Sequence, residues 1–179
     1  MFKIFIGILV VAFVAIVAFL VIDPNINPFG GGDITDTSTL KNVFTITVEG
    51  EVLKTGTYVL SDGATMGDLI SAAGGETSNS DDLAYFDTAD LKTGMTYYIA
   101  PKYDLSDICN TVPITKVNVN KATQESLMSV NGITASIANS IISHRSSNGQ
   151  FMTLEALYDV YGIGSATYKK VRNYVTLHE

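Results

Sequence analysis

TQESLMSVNGIT, from Thr123 to Thr134, returns thirty residues later as TLEALYDVYGIG, from Thr153 to Gly164. Thr, Glu, Leu, Val, Gly and Ile keep their register, so the segment holds two copies of one supersecondary unit. Each copy reads as a short helix, a tight turn carrying Gly-Ile, and a second helix. Such a turn aims backbone N–H groups outward at the start of the following helix. That is the geometry of an anion site, most often for a phosphate.

Thr123 caps the first helix with Glu125 in its opening turn, and Thr153 with Glu155 is expected to do the same in the second copy. Leu127 and Leu157, Val130 and Val160, and Ile133 and Ile163 occupy matching apolar positions and read as core. Ile137, Ile141 and Ile142 line one face of the next helix, and Tyr168, Val171 and Val175 line the fourth at i, i+3 and i+7. The spacing predicts four short helices related by a pseudo-twofold, an all-α unit over residues 116–179. Gly132 and Gly162 serve the turns, where a side chain would clash at positive φ or block close approach of a ligand. The second copy adds Gly164, Lys169, Lys170 and Arg172, where the first has Thr134, Asn139, Ser140 and Ile142. The second hairpin is therefore expected to make the stronger phosphate contact. The candidate contact residues are Gly132, Ile133, Gly162, Ile163, Gly164, Ser165, Lys169, Lys170 and Arg172, with Arg145 and Lys121 adding charge. Asn118 and Asn120 read as caps, and His144 and His178 as surface residues.

Charge changes along the chain. Up to residue 114 five cations face fourteen acids, and beyond it six cations face four acids, so a net −9 gives way to a net +2. A polyanion is repelled by the middle of the chain and accepted at its C-terminal end.

Upstream, IFIGILVVAFVAIVAFLVI, Ile4 to Ile22, carries no charge. As a helix it would span about 28 Å, the hydrocarbon thickness of a bilayer. Residues 1–22 read as a short tip and a transmembrane helix. A cleaved signal peptide is the rival, but its apolar region runs about 7 to 15 residues and ends in a small-residue cleavage site that is missing here. Lys3 precedes the run and Asp23, Asp33 and Asp36 follow it, so the N-terminus stays cytoplasmic and the rest faces outward. Residues 23–42, rich in Gly, Pro, Asp, Asn and Thr, read as a flexible stalk. Cys109 is the single cysteine, in a polar connector over residues 103–115, so no intramolecular disulfide can form.

Between stalk and connector, residues 43–102 form a second unit. Phe44, Ile46 and Val48 alternate with threonines as a half-buried strand, and TYVL from Thr57 to Leu60 makes a second. Thr65 caps a helix with Asp68 three residues on, Gly74 and Gly75 end it, and MTYYIA from Met95 to Ala100 returns as a strand. The pattern predicts an α+β fold, a small mixed sheet gripping one helix. Asp81, Asp82, Asp87 and Asp90 read as solvated surface, because no residue set here has metal-ligand spacing.

On VEGEVLKTGTYVL, DLISAAGG and DLKTGMTYYIAPK this unit resembles the SLBB family of β-grasp domains, found in polysaccharide export proteins and some receptors. Glu51 stands where that family has a small residue after the turn glycine. The segment from VNVNKAT through HRSSNGQF to Val175 resembles the tandem helix-hairpin-helix domain of the ComEA family, the membrane-anchored DNA receptors of natural competence. In that family the first hairpin is usually closer to Gly-Ile-Gly followed by lysines. The resemblance implies a multidomain chain: a single transmembrane helix, an SLBB-like domain, then a tandem helix-hairpin-helix domain. It also implies capture of double-stranded DNA outside the cell, without sequence preference, for delivery to DNA-uptake machinery proteins. A homo-oligomer formed through the SLBB-like domain would cluster receptors and raise affinity through effective concentration.

Two other function classes stand beside this one. In a structural or polysaccharide-associated membrane protein, the SLBB-like domain would dominate and the helical repeat would make protein contacts. In a DNA-processing enzyme, a metal cluster or activated nucleophile would sit beside the repeat, and the sequence offers neither. The expectation is a non-enzymatic protein without cofactor or metal.

Overall fold

Alternation of apolar and polar side chains from Phe44 to Val48 produces the central strand of a small sheet. In the computed structural model, which describes residues 43–104 and 112–179, this strand is β1 (Val43–Gly50), with Ile46 and Val48 buried. Strand β2 (Gly56–Ser61) runs antiparallel to it and β3 (Thr96–Ile99) parallel, in the order β2-β1-β3. A parallel pair needs a crossover. Helix α1 (Met66–Ala72) and a 3₁₀ turn, Asp82–Ala84, supply it. The Asp68 carboxylate accepts from the Thr65 N–H at 2.9 Å and from its hydroxyl at 3.1 Å, which holds the acid below its usual range and fixes the start of α1. Met66, Leu69 and Ile70 close on Ile46, Val48, Val52, Tyr97 and Ile99. Gly50 is required where β1 ends: at φ +89° a Cβ would lie 2.1 Å from the Ile99 carbonyl oxygen. Glu51, next to it, accepts from the Thr77 hydroxyl and the Asn79 amide, so its carboxylate knits the turn to the crossover.

A second core belongs to the repeat. Helices α2 (Gln124–Met128) and α3 (Ala135–Asn148) form the first copy. A 3₁₀ helix, Leu154–Asp159, and α4 (Ser165–Val171) form the second. Two sequence expectations need correction. Thr153 makes no side-chain cap and Glu155 is buried instead of facing solvent, so the third helix is a tight 3₁₀ turn. Val175, expected on the fourth helix, lies beyond it. The Tyr174 N–H turns back to the Val171 carbonyl at 2.8 Å, and Val175–Thr176 becomes strand β5, pairing in parallel with β4 (Val117–Asn118). The domain is thus mainly helical, with its two ends tied by a short β pair.

The asparagines of the VNVN lead-in fasten these ends. Asn120 donates to the carbonyls of Phe151 at 2.9 Å and Leu177 at 2.8 Å and accepts from the Phe151 N–H at 2.8 Å. Asn118 accepts from the Asn120 N–H at 2.9 Å.

Sheet and repeat pack directly. The Tyr98 N–H of β3 donates to Glu155 at 2.8 Å, the Phe86 N–H to Met152 at 3.2 Å, and the Leu177 N–H to Leu83 at 2.8 Å. Asp81, expected on the surface, is buried: its carboxylate pairs with Lys116, whose ammonium also donates to the Pro101 carbonyl at 2.7 Å. Asp82, Asp87 and Asp90 are exposed. The described ends of the 103–115 connector are held as well, with Tyr103 bridged to Pro113 and the Ile114 N–H donating to Lys102 at 2.8 Å. The expected tip and anchor of residues 1–22, the stalk of residues 23–42 and Cys109 lie outside the described residues. Among the described residues no helix is long and apolar enough to cross a membrane.

Burial lifts the Glu155 carboxyl to about 7 from 4.5, against the opposing hydrogen bonds from Tyr168 and Tyr98. The folded state therefore holds this proton more tightly than the unfolded chain. Its stabilising contribution is complete below the unfolded value and is lost as pH rises through the folded one. Urea midpoints should fall as pH is raised across that interval, and Glu155→Gln should flatten the fall. A variant with the parent's pH profile would show that another group titrates.

Candidate functional site

Each hairpin turn is built by the same hydrogen bonds. Ile133 N–H donates to Val130 at 3.0 Å in the first copy, and Ile163 N–H to Val160 at 3.1 Å in the second. Ile133 and Ile163 are buried, so these two candidates act by anchoring the turns and any phosphate contact is through their surroundings. Gly132 and Gly162 have φ of +105° and +94°. Gly164 does not: at φ −97° and ψ −179° it is extended, with open space where a Cβ would stand. The second glycine is therefore not needed for conformation.

What Gly164 changes is the cap. Its counterpart Thr134 accepts the Ile137 N–H at 3.3 Å through its hydroxyl, answering one of the open amides at the start of α3. Without a side chain, Gly164 leaves the first amides of α4 unanswered by any cap. Gly162, Gly164 and Ser165 are all exposed, so the second turn presents its backbone to solvent.

The two copies interlock. A Cβ on Gly132 would meet Val171 at 3.3 Å and the Lys170 stem at 3.5 Å, both on α4. One on Gly162 would meet Ile137 of α3 at 3.1 Å. Each turn thus lies under the second helix of the other copy, and this corrects the expected distribution of charge. Lys169 and Lys170 line a cleft of about 740 Å³ with Ser129, Val130 and Asn131 of the first hairpin, together with Tyr174. The hairpin that lacks its own lysines receives them across the repeat. The second hairpin borders instead a cleft of about 470 Å³ lined by Ser136, Asn139, Ser140 and Ser143 of α3, with Tyr161 at its edge.

The remaining cations are engaged. Arg145 donates to the carbonyls of Val119 at 2.7 Å and Ala122 at 2.8 Å, clamping α3 to the lead-in. The Arg172 guanidinium stacks 3.5 Å over the Tyr98 ring, at the junction with the sheet. Neither is placed as a free phosphate ligand, contrary to expectation. Lys121 pairs with Glu179 at 3.1 Å, both exposed, a contact that water and salt weaken. His144 stacks on Phe151 and His178 packs against Phe86, so both are structural. Sequence reading missed Asn131, Tyr161 and Tyr174. Tyr161 was visible as the mismatch with Asn131 in the repeat, whereas the others needed the packing.

Residues 112–176 match the helix-hairpin-helix motif family and residues 45–86 match the SLBB domain family. The chain is 28% identical over 141 residues to ComE operon protein 1 of Bacillus subtilis (strain 168), covering 74% of this chain and 69% of that protein. It is 44% identical over 61 residues to endonuclease/exonuclease/phosphatase family domain-containing protein 1 of Danio rerio, covering 34% of this chain and 11% of that one. An uncharacterized protein of Haemophilus influenzae is 41% identical over 59 residues, 32% of this chain and 53% of its own length.

The glycines give a graded test. Gly132→Ala and Gly162→Ala each place a side chain at positive φ against a packed neighbour and should cost roughly 1–3 kcal/mol in urea unfolding. Gly164→Ala should leave stability within about 0.5 kcal/mol. Equal losses at all three positions would refute the assigned turn geometry.

Proposed function

We propose that the chain is a ComEA-family protein that binds double-stranded DNA through the phosphate backbone, without sequence preference, as a receptor for DNA uptake in natural transformation. The observation that carries this reading is the pair of interlocked hairpins: one flanked by Lys169 and Lys170, the other presenting the exposed glycines Gly162 and Gly164 on either side of buried Ile163. Amides and lysines meet phosphate oxygens and carry no base information. Lys121 is a peripheral contact that must exchange its Glu179 partner for phosphate. The uncharged run Ile4–Ile22 supports a single-pass membrane anchor, and the acids that follow it support an outward-facing binding unit. The reading is non-catalytic: the match to the Danio rerio protein spans only 11% of that protein. Clustering through the SLBB-like domain would let modest individual contacts add, and delivery to uptake-machinery proteins would follow capture.

Fluorescence anisotropy of a labelled duplex titrated with the full chain in detergent tests this. With Lys169 and Lys170 as the cations flanking the first hairpin, log Kd against log salt should have a slope of magnitude about 2, and Lys170→Ala should lower it by about 1. Arg145→Ala and Arg172→Ala should lower stability while leaving that slope in place. No salt dependence, or cleavage of the duplex on incubation with magnesium, would overturn the assignment.

A further inference from the structure

We infer that Tyr161 gives the second hairpin a non-electrostatic contact with the deoxyribose face of the bound strand, so that the two hairpins grip the duplex by different chemistry. The inference rests on the duplex-binding reading above and adds a residue and a mode of contact to it. Tyr161 is 85% exposed, although the residues on either side of its turn, Val160 and Ile163, are 3% and 5% exposed. Those two anchors, the hydrogen bond from the Ile163 N–H to Val160 and the positive φ of Gly162 hold the turn from which the ring projects. A tyrosine on a fixed turn has only two side-chain torsions left to order, so its contact costs little entropy.

The surroundings say what it meets. Beside the ring, the cleft offers hydroxyls and amides from Ser136, Asn139, Ser140 and Ser143, and contains no lysine or arginine. Its acidic lining residue is Asp159, exposed and 3.6 Å from the Lys92 ammonium, so the pair offers a phosphate little net charge. A strand crossing this hairpin therefore gains little from net charge there and must be held by the turn's amides and by apolar contact. In an intact duplex the bases stay stacked, and the apolar surface next to each phosphate is the sugar. At the equivalent place the first hairpin has Asn131, with Lys169 and Lys170 lining the same cleft. Charge serves one turn and an aromatic ring the other.

The test is the same anisotropy titration with Tyr161→Ala, Tyr161→Phe and Tyr161→Asn, the last copying the first hairpin. A ring covering about 40 Å² of sugar corresponds to roughly a fivefold weakening on its removal. Tyr161→Ala and Tyr161→Asn should show that loss at every salt concentration, with the slope of the parent chain, and Tyr161→Phe should bind as the parent does. Parent-like binding by Tyr161→Ala, a changed salt slope, or a Phe variant as weak as Ala would overturn the inference while leaving duplex binding by the parent intact. A parent chain that fails to bind duplex would sink both.

Discussion

Two glycines, each lying beneath the second helix of the other copy, set the geometry of the repeat. Gly132 abuts Val171 and Lys170, and Gly162 abuts Ile137, at distances where a Cβ would already crowd its neighbour. The turns cannot be moved independently, because shifting one displaces the helix that covers the other. A duplicated unit of this kind hides its apolar positions largely against its twin, which is why Leu127, Leu157, Val130 and Val160 are buried in one cluster. The separation of the two exposed backbones is then a property of the core. This interlock also explains how a hairpin with no lysine of its own comes to be flanked by two.

A second constraint joins the repeat to the sheet. Glu155 is buried, with one oxygen accepting from the Tyr98 N–H and the Tyr168 hydroxyl and the other without a partner. A buried carboxylate is costly unless neutralised or fully hydrogen-bonded, which accounts for its raised affinity for a proton. Around it, Arg172 covers Tyr98 and the Tyr98 hydroxyl donates to Asn173 at 2.9 Å. The junction thus diverts one arginine from the surface and converts what the repeat suggests is a helix start into an anchor. Glu125, its equivalent in the first copy, stays exposed at the start of α2. Identical residues at repeat-related positions do different work because only the second copy meets the sheet.

That asymmetry marks the limit of what could be read from the residues alone. Strand alternation over Phe44, Ile46 and Val48, the Thr65–Asp68 capping pair and the inward apolar positions of both hairpins depend on local spacing, and they were legible. Asp81 looked like one of several surface acids until Lys116, distant in sequence, was found against it. Val175 fitted a helical period but is claimed by Val117 across the domain. The assignment of Lys169 and Lys170 to the first hairpin depends on which helix crosses which turn. Periodicity reports the face a side chain occupies, and long-range packing decides what that face meets.

The same packing bears on how a duplex would be read. Discrimination between base pairs depends most often on arginine placed bidentately on guanine in the major groove. This chain has two arginines, Arg145 and Arg172. One is spent on the Val119 and Ala122 carbonyls and the other lies over Tyr98. What remains outward around the hairpins is backbone amide, two lysines, the rings of Tyr161 and Tyr174 and small neutral side chains. Lysine is a point charge on a flexible stem, suited to any phosphate in reach. A surface assembled this way couples to charge and to the regular spacing of the backbone, which every duplex shares. Under the proposed duplex binding, a fold that has committed both guanidinium groups elsewhere is suited to contact without base preference.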